Sequence, residues 1–136
     1  MTFSISGPPS IKAYSSRPRE RYISARTQAF RDAAYLESWR NKVERIGNLN
    51  YPHEAQQRHL HGRLILNVLI NHDGRVMRVD VAQSSGSAVL DDAAKRIVQL
   101  ASPFPPFPKA MRKQYDQLMI TRTWIFEADN TLRTAR

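Results

Sequence analysis

The residues of this chain best equipped for chemistry are four histidines, His53, His59, His61 and His72. His59 and His61 lie two apart, but a closed metal site needs three or four converging ligands, so the fold would have to supply the others. Near a helix end and a turn, these side chains read more simply as exposed polar groups. There is no cysteine, hence no thiol nucleophile and no disulfide to report on the compartment. Neither a G-x-S-x-G elbow nor a glycine loop that could cradle a phosphate occurs, and the Asp and Glu residues show no spacing that singles out a pair. The expectation is a protein that is not an enzyme, with no metal and no cofactor.

What remains is the chemistry of the backbone. The run Leu118, Met119, Ile120, Thr121, Arg122, Thr123, Trp124, Ile125, Phe126 is rich in β-branched and aromatic residues and reads as a strand. Leu118, Ile120, Trp124 and Phe126 share one face; Met119, Thr121, Thr123 and Ile125 share the other. The first set is expected to complete a core while the second meets a helix. If this strand closes the chain's order of elements, its outer edge stays unpaired, and an unpaired edge is a template for an extended peptide.

The elements that would position such an edge can be read upstream. Arg63 to Ile70 and Arg75 to Val81 alternate apolar and polar residues around Asn71-His72-Asp73-Gly74. That is a β-hairpin, and its Asp-Gly pair predicts a type I′ turn, in which both central residues take positive φ. Leu64, Leu66, Val68 and Ile70 would face one way on the first strand, as would Met77, Val79 and Val81 on the second. After Ser84-Ser85-Gly86-Ser87, the helical spacing of Leu90, Ala93, Ala94, Ile97, Val98 and Ala101 predicts a covering helix, with Asp91 and Asp92 near its N-terminus. Pro103, Pro105, Pro106 and Pro108 end it by removing donors and forcing extended backbone, and Phe104 and Phe107 read as plugs fixing that loop to the core. Tyr51-Pro52 opens a short helix before Gly62. A longer helix from about Ser24 to Ile46 places Leu36, Trp39, Val43 and Ile46 on one stripe that needs a partner, either the sheet or a second copy.

Composition narrows the partners. The net charge is +9, with basic residues in the first part of the chain (Lys12, Arg17, Arg19, Arg21), the first helix (Arg26, Arg31, Arg40, Lys42, Arg45) and the loop before the last strand (Lys109, Arg112, Lys113). Charge spread in this way solvates. A basic nucleic-acid-binding module is the competing class, since a cationic face binds phosphate by counterion release, but no helix-turn-helix, zinc or RRM pattern supports it. The expectation is no nucleic-acid partner. No apolar run approaches the roughly 20 residues of a membrane span, and there is no signal peptide. The Pro, Ser and Arg content of residues 1–21 predicts a disordered lead-in or linker, leaving 22–136 as one domain with a core at about 48–127.

Taken together, Tyr51-Pro52-x-x-Ala55, the strand led by Gly62, Asp73-Gly74-Arg75-Val76, the Ser84-Ser85-Gly86 loop, Leu90-Asp91-x-Ala93-Ala94, Pro103-Phe104-x-Pro106-Phe107-Pro108 and Thr121-x-Thr123-Trp124 resemble the C-terminal domain of the TonB energy transducers. The resemblance runs from about Arg45 to Phe126. It implies an α+β fold in the order helix, short helix, strand, strand, helix, strand, with a three-stranded sheet packed on helices. It also implies a non-enzymatic coupler in the periplasm, anchored in the full-length protein to the inner membrane of a Gram-negative bacterium. Through that anchor it would be driven by ExbB and ExbD, and it would bind the TonB box of outer-membrane receptors for iron chelates or vitamin B12. The anchor and a Pro-rich spacer are not in this sequence, so the chain is expected to be a piece of a longer protein, with Met1 added to it. The family's contact regions fall here on Asn48, Leu49, Asn50, Tyr51 and Pro52, and on Leu118 to Phe126. Glu54 departs from relatives that carry a basic residue in this motif. A TolA-like envelope domain of similar fold is an alternative, and a homodimer is left open.

Overall fold

The computed structural model describes residues 11–14 and 32–135. Its centre is the hairpin of β2 (Gly62–Asn71) and β3 (Val76–Gln83), paired antiparallel as the alternation predicts. Leu64, Leu66, Val68 and Ile70 are all buried. The second strand departs from its pattern, because the register slips between Leu69 and Ile70 and again between Ile65 and Leu66. Leu69 pairs with Arg78 and Ile70 with Val76, so Met77 is the extra residue of a bulge and turns outward, 46% exposed. Val76, Val79 and Val81 supply the inward contacts instead.

The turn also differs from expectation. Gly74 has φ +94°, but Asp73 is not among the residues with positive φ, which excludes type I′. Gly74 N–H donates to Asn71 O at 2.9 Å and Asn71 N–H to Arg75 O at 2.9 Å. This is a type I turn closed by a left-handed glycine, the three-residue alternative for the same Asp-Gly pair.

The cover is α3 (Ala88–Ala101), with Leu90, Ala94, Ile97, Val98 and Ala101 buried. Ser87 caps it by accepting from Leu90 N–H at 3.4 Å. Asp91 holds the preceding loop, accepting from Ser85 N–H at 3.0 Å, from Ser85 Oγ at 2.7 Å and from the Ser84 hydroxyl. Beside α3 lies α1 (Ala33–Leu49), which runs three residues beyond the expected end; the expected start, residues 24–31, lies outside the described residues. Its inward stripe is Tyr35, Leu36, Trp39, Val43 and Gly47, whereas Ile46 is only half-buried. Gly47 marks the closest approach, since a Cβ there would lie 3.3 Å from Ile97 Cγ2 and overlap the end of the Leu132 side chain. The first helix therefore packs with α3 on one side of the sheet and does not cover the other face. The proline loop plugs that layer as expected: Phe104 and Phe107 are buried, with Phe107 edge-on to Tyr35 at 5.3 Å and Phe104 5.9 Å from Trp39.

Two short helices, α2 (His53–Gln57) and α4 (Lys109–Arg112), lead into β2 and β4 (Gln117–Phe126). The sheet exceeds the expected three strands. The order β1-β4-β2-β3 makes four, with β1 at Ile11–Tyr14, and β5 (Leu132–Ala135) also pairs with β4. Thus part of the stretch expected to be disordered, residues 11–14, forms a strand; the remainder of 1–21 lies outside the described residues.

Candidate peptide-docking edge

Every candidate residue from Leu118 to Phe126 lies on β4, in the interior of the sheet. One edge of β4 pairs along its whole length with β2, from Asn71 opposite Gln117 to Gly62 opposite Phe126. Leu118, Ile120, Trp124 and Phe126 are buried in the core, as their face predicts, and Arg122 on the same face is buried with them. Met119, Thr121 and Ile125 on the second face are buried too, with Thr121 Oγ1 donating to Asn67 Oδ1 across the strand pair at 2.7 Å. Recognition by this strand would therefore have to use its backbone.

The outer edge of that backbone is not left unpaired as the order of elements suggested. Gln117, Leu118, Met119 and Ile120 face β1, with Tyr14 opposite Gln117 and Ile11 opposite Ile120. Thr123 to Phe126 face β5, with Ala135 opposite Thr123 and Leu132 opposite Phe126. Both added strands run antiparallel to β4 and so lie end to end along it. A four-residue strand has little local signature. Its order comes from the partner, so neither β1 nor β5 carried a strong sequence signal; the clearest was Asp129-Asn130 as a turn after Phe126.

The two occupants are fastened differently. On β5, Leu132 is buried under α1, and its N–H donates to Asn48 Oδ1 at 2.8 Å while Asn48 Nδ2 donates to Leu132 O at 3.1 Å. Thr134 N–H donates to Glu44 at 2.7 Å and its hydroxyl reaches the same carboxylate at 3.1 Å. Asn48 thus acts as a strand-like clamp from the last turn of α1 and does not belong to an extended segment. Sequence reasoning placed it in the site but missed Glu44.

The remaining upstream candidates gather at the β5 end of β4. Tyr51 packs edge-on to Phe126 at 5.7 Å between ring centres, and Pro52 caps α2. Burial raises the Tyr51 phenol above its usual range, Asp129 and Glu127 adding to the shift, and its hydroxyl is enclosed without a hydrogen-bond partner. Asn50 Nδ2 donates to Ile46 O at 2.8 Å, and Leu49 is 74% exposed. Asn50 to Glu54 and the α3 residues Val89, Asp92, Ala93, Arg96 and Leu100 line an open groove of about 610 Å³. Glu54 already pairs with Arg58 at 2.7 Å. The histidines do not converge: His53 opens α2, His59 follows it, His61 precedes β2, and His72 sits in the hairpin turn. Among the described residues no three His, Asp or Glu side chains group as metal ligands would, and no helix is long and apolar enough to cross a membrane.

The family described as the Gram-negative bacterial TonB protein C-terminal matches residues 47–127, from the last turn of α1 through β4. The chain belongs to this TonB C-terminal family. Two solution structures of the TonB C-terminal domain of Helicobacter pylori share the fold. The longer has a TM-score of 0.54 and 21% identity over 79% of this chain and 96% of its own. The shorter has a TM-score of 0.52 and 21% identity over 69% and 94%. No curated protein matches the sequence. The family region spans both sets of candidate residues, Asn48 to Pro52 and Leu118 to Phe126, whereas β1 and β5 lie outside it.

Proposed function

We propose that this chain is the periplasmic part of a TonB-type energy transducer, which captures the TonB box of an outer-membrane receptor as an added strand on β4. In that role it passes the inner-membrane proton-motive force, delivered through ExbB and ExbD, to receptors importing iron chelates or vitamin B12. The observation that carries this reading is the coincidence of the family region with a strand whose outer edge accepts short antiparallel strands. An edge that takes four-residue segments in register has the geometry for an extended peptide.

The strength of such capture suits a transient coupler. About five or six backbone hydrogen bonds, each a net ~0.5 to 1.5 kcal/mol, give millimolar to micromolar affinity after ordering costs. One elementary charge crossing 100 mV supplies about 2.3 kcal/mol, so a few protons suffice to strip the strand away. The Glu54–Arg58 pair makes the α2 end of the groove a poor place to meet a receptor carboxylate, so main-chain pairing carries the recognition.

NMR titration with TonB-box peptides from receptors of the same organism tests the reading, with a scrambled peptide as control. Amide shifts clustering on Gln117 to Phe126 and on Asn48 to Tyr51 are expected for the true peptide alone. Shifts absent from β4, or equal for the scrambled peptide, would reject it.

A further inference from the structure

We propose that β1 is a displaceable self-strand: the segment Ile11-Lys12-Ala13-Tyr14 occupies the β4 edge as an intramolecular competitor, and an incoming peptide binds by exchanging with it. The inference rests on the strand-addition reading above and adds its regulation. Two observations carry it. First, β1 is antiparallel to β4 in unbroken register opposite Gln117 to Ile120, which is the arrangement an added peptide would take. Second, the Thr123 to Phe126 part of the edge is closed by a strand that cannot readily leave, because β5 is continuous with β4 through a tight turn, buries Leu132 in the core, and has the N–H groups of Leu132 and Thr134 held by Asn48 and Glu44. Exchange therefore begins in the stretch under β1, which is joined to the rest of the domain only through residues 15–31.

The consequence is quantitative. A ligand that needs the edge empty binds with its intrinsic affinity divided by the fraction of molecules whose edge is open. If β1 occupies the edge nine times in ten, apparent affinity falls about tenfold, and any partner or pull that draws residues 1–14 away restores it. A tethered strand of this kind keeps the edge from pairing with other chains while leaving it accessible to a specific one.

The test uses the full 136-residue chain and the double variant Lys12→Pro, Ala13→Pro. Neighbouring N–H groups point to opposite edges of a strand, so replacing both removes whichever donor faces β4. In the variant, hydrogen exchange of those Gln117 to Ile120 amides whose N–H groups face β1 should accelerate about tenfold or more, with the β4 amides that face β2 and the β2–β3 amides unchanged. A synthetic peptide copying residues 10–16 should shift the Gln117 to Ile120 signals of the variant and leave the parent unaffected. The TonB-box peptide should bind the variant about tenfold more tightly than the parent. Unchanged exchange, equal TonB-box affinity for both proteins, or loss of the β2–β3 signals would each overturn the self-strand, the last by making β1 part of the core fold. A TonB-box peptide that binds neither protein would reject the function proposed above, while binding of the 10–16 peptide to the variant alone would still support the self-strand.

Discussion

Of the described glycines, Gly74 is the one that the structure can least exchange. Its φ of +94° disfavours any side chain, and a Cβ would lie 1.9 Å from the carbonyl oxygen of Phe104. The turn is thereby locked to the proline loop, with Phe104 N–H donating to Gly74 O at 2.9 Å and Phe107 N–H to His72 O at 2.8 Å. Gly74→Ala should cost about 1–3 kcal/mol for the backbone conformation alone and more for displacing the loop, read as a lowered urea midpoint. Next to it, the donated N–H of Arg75, then the Asn71 side chain, hold the Asp73 carboxyl down at about 2 from 3.8. A depressed carboxylate stabilises the folded state above its unfolded pKa and loses that contribution as pH falls through the folded one. The parent should therefore weaken between about pH 4 and pH 2 by a margin that Asp73→Asn lacks, measured by urea unfolding of both proteins across that range. The Asp-Gly signal was legible in the sequence. Which turn it makes was not, because that choice depends on Phe104, some thirty residues away in the chain.

At the scale of elements, the two hairpins follow one design. Asn71 and Glu127 each receive an N–H bond from the residue three further on and donate to the carbonyl four further on, and the third position is left-handed in both, Gly74 at +94° and Asn130 at +65°. The elements legible in the sequence were those with their own periodicity: β2, α3, β4 and the inward stripe of α1. The missing ones are α4, a single turn that the sequence reads as part of the loop before the last strand, and β1 and β5, which are defined by what they lie against. For β5 that is Asn48 and Glu44, so Asn48→Ala should loosen it locally. The lost pair of bonds to Leu132 is worth about 1–2 kcal/mol, and exchange of the Leu132 and Arg133 amides should accelerate roughly tenfold with little change at β2. Uniform acceleration across the sheet would instead mean that β5 opens only with the whole domain. The candidate site was legible as a strand with a usable edge, but not as an edge already occupied, since one occupant comes from the other end of the sequence and the other is a four-residue strand held by Asn48 and Glu44.

For the whole molecule, the charge is dispersed. Among the described residues, Arg40, Arg58, Arg75, Arg78, Lys95 and Arg133 each meet an Asp or Glu at the surface. Such exposed pairs contribute little stability, but each sets a carboxylate beside a cation that would otherwise be free to meet phosphate. Binding to duplex DNA at physiological salt is accordingly expected to be no tighter than about 10⁻⁴ to 10⁻⁶ M and to collapse as salt rises. Sequence-selective nanomolar binding in a gel-shift or anisotropy assay would contradict this.

The placement of β1 also sets an order of events in time. Ile11 pairs with Ile120, so the first described strand of the chain waits for nearly the last. The β2–β3 hairpin closes within a few residues and can form early, while β1 must search across about a hundred residues of chain to reach β4, and such non-local pairing is slow. Until β4 has paired with β2, the segment Ile11–Tyr14 has no sheet edge to join. A late step of folding is then the arrival of the N-terminal segment at a sheet whose β2–β3–β4 centre can already be paired, and during that interval the newly made domain presents the stretch of edge that the finished one conceals.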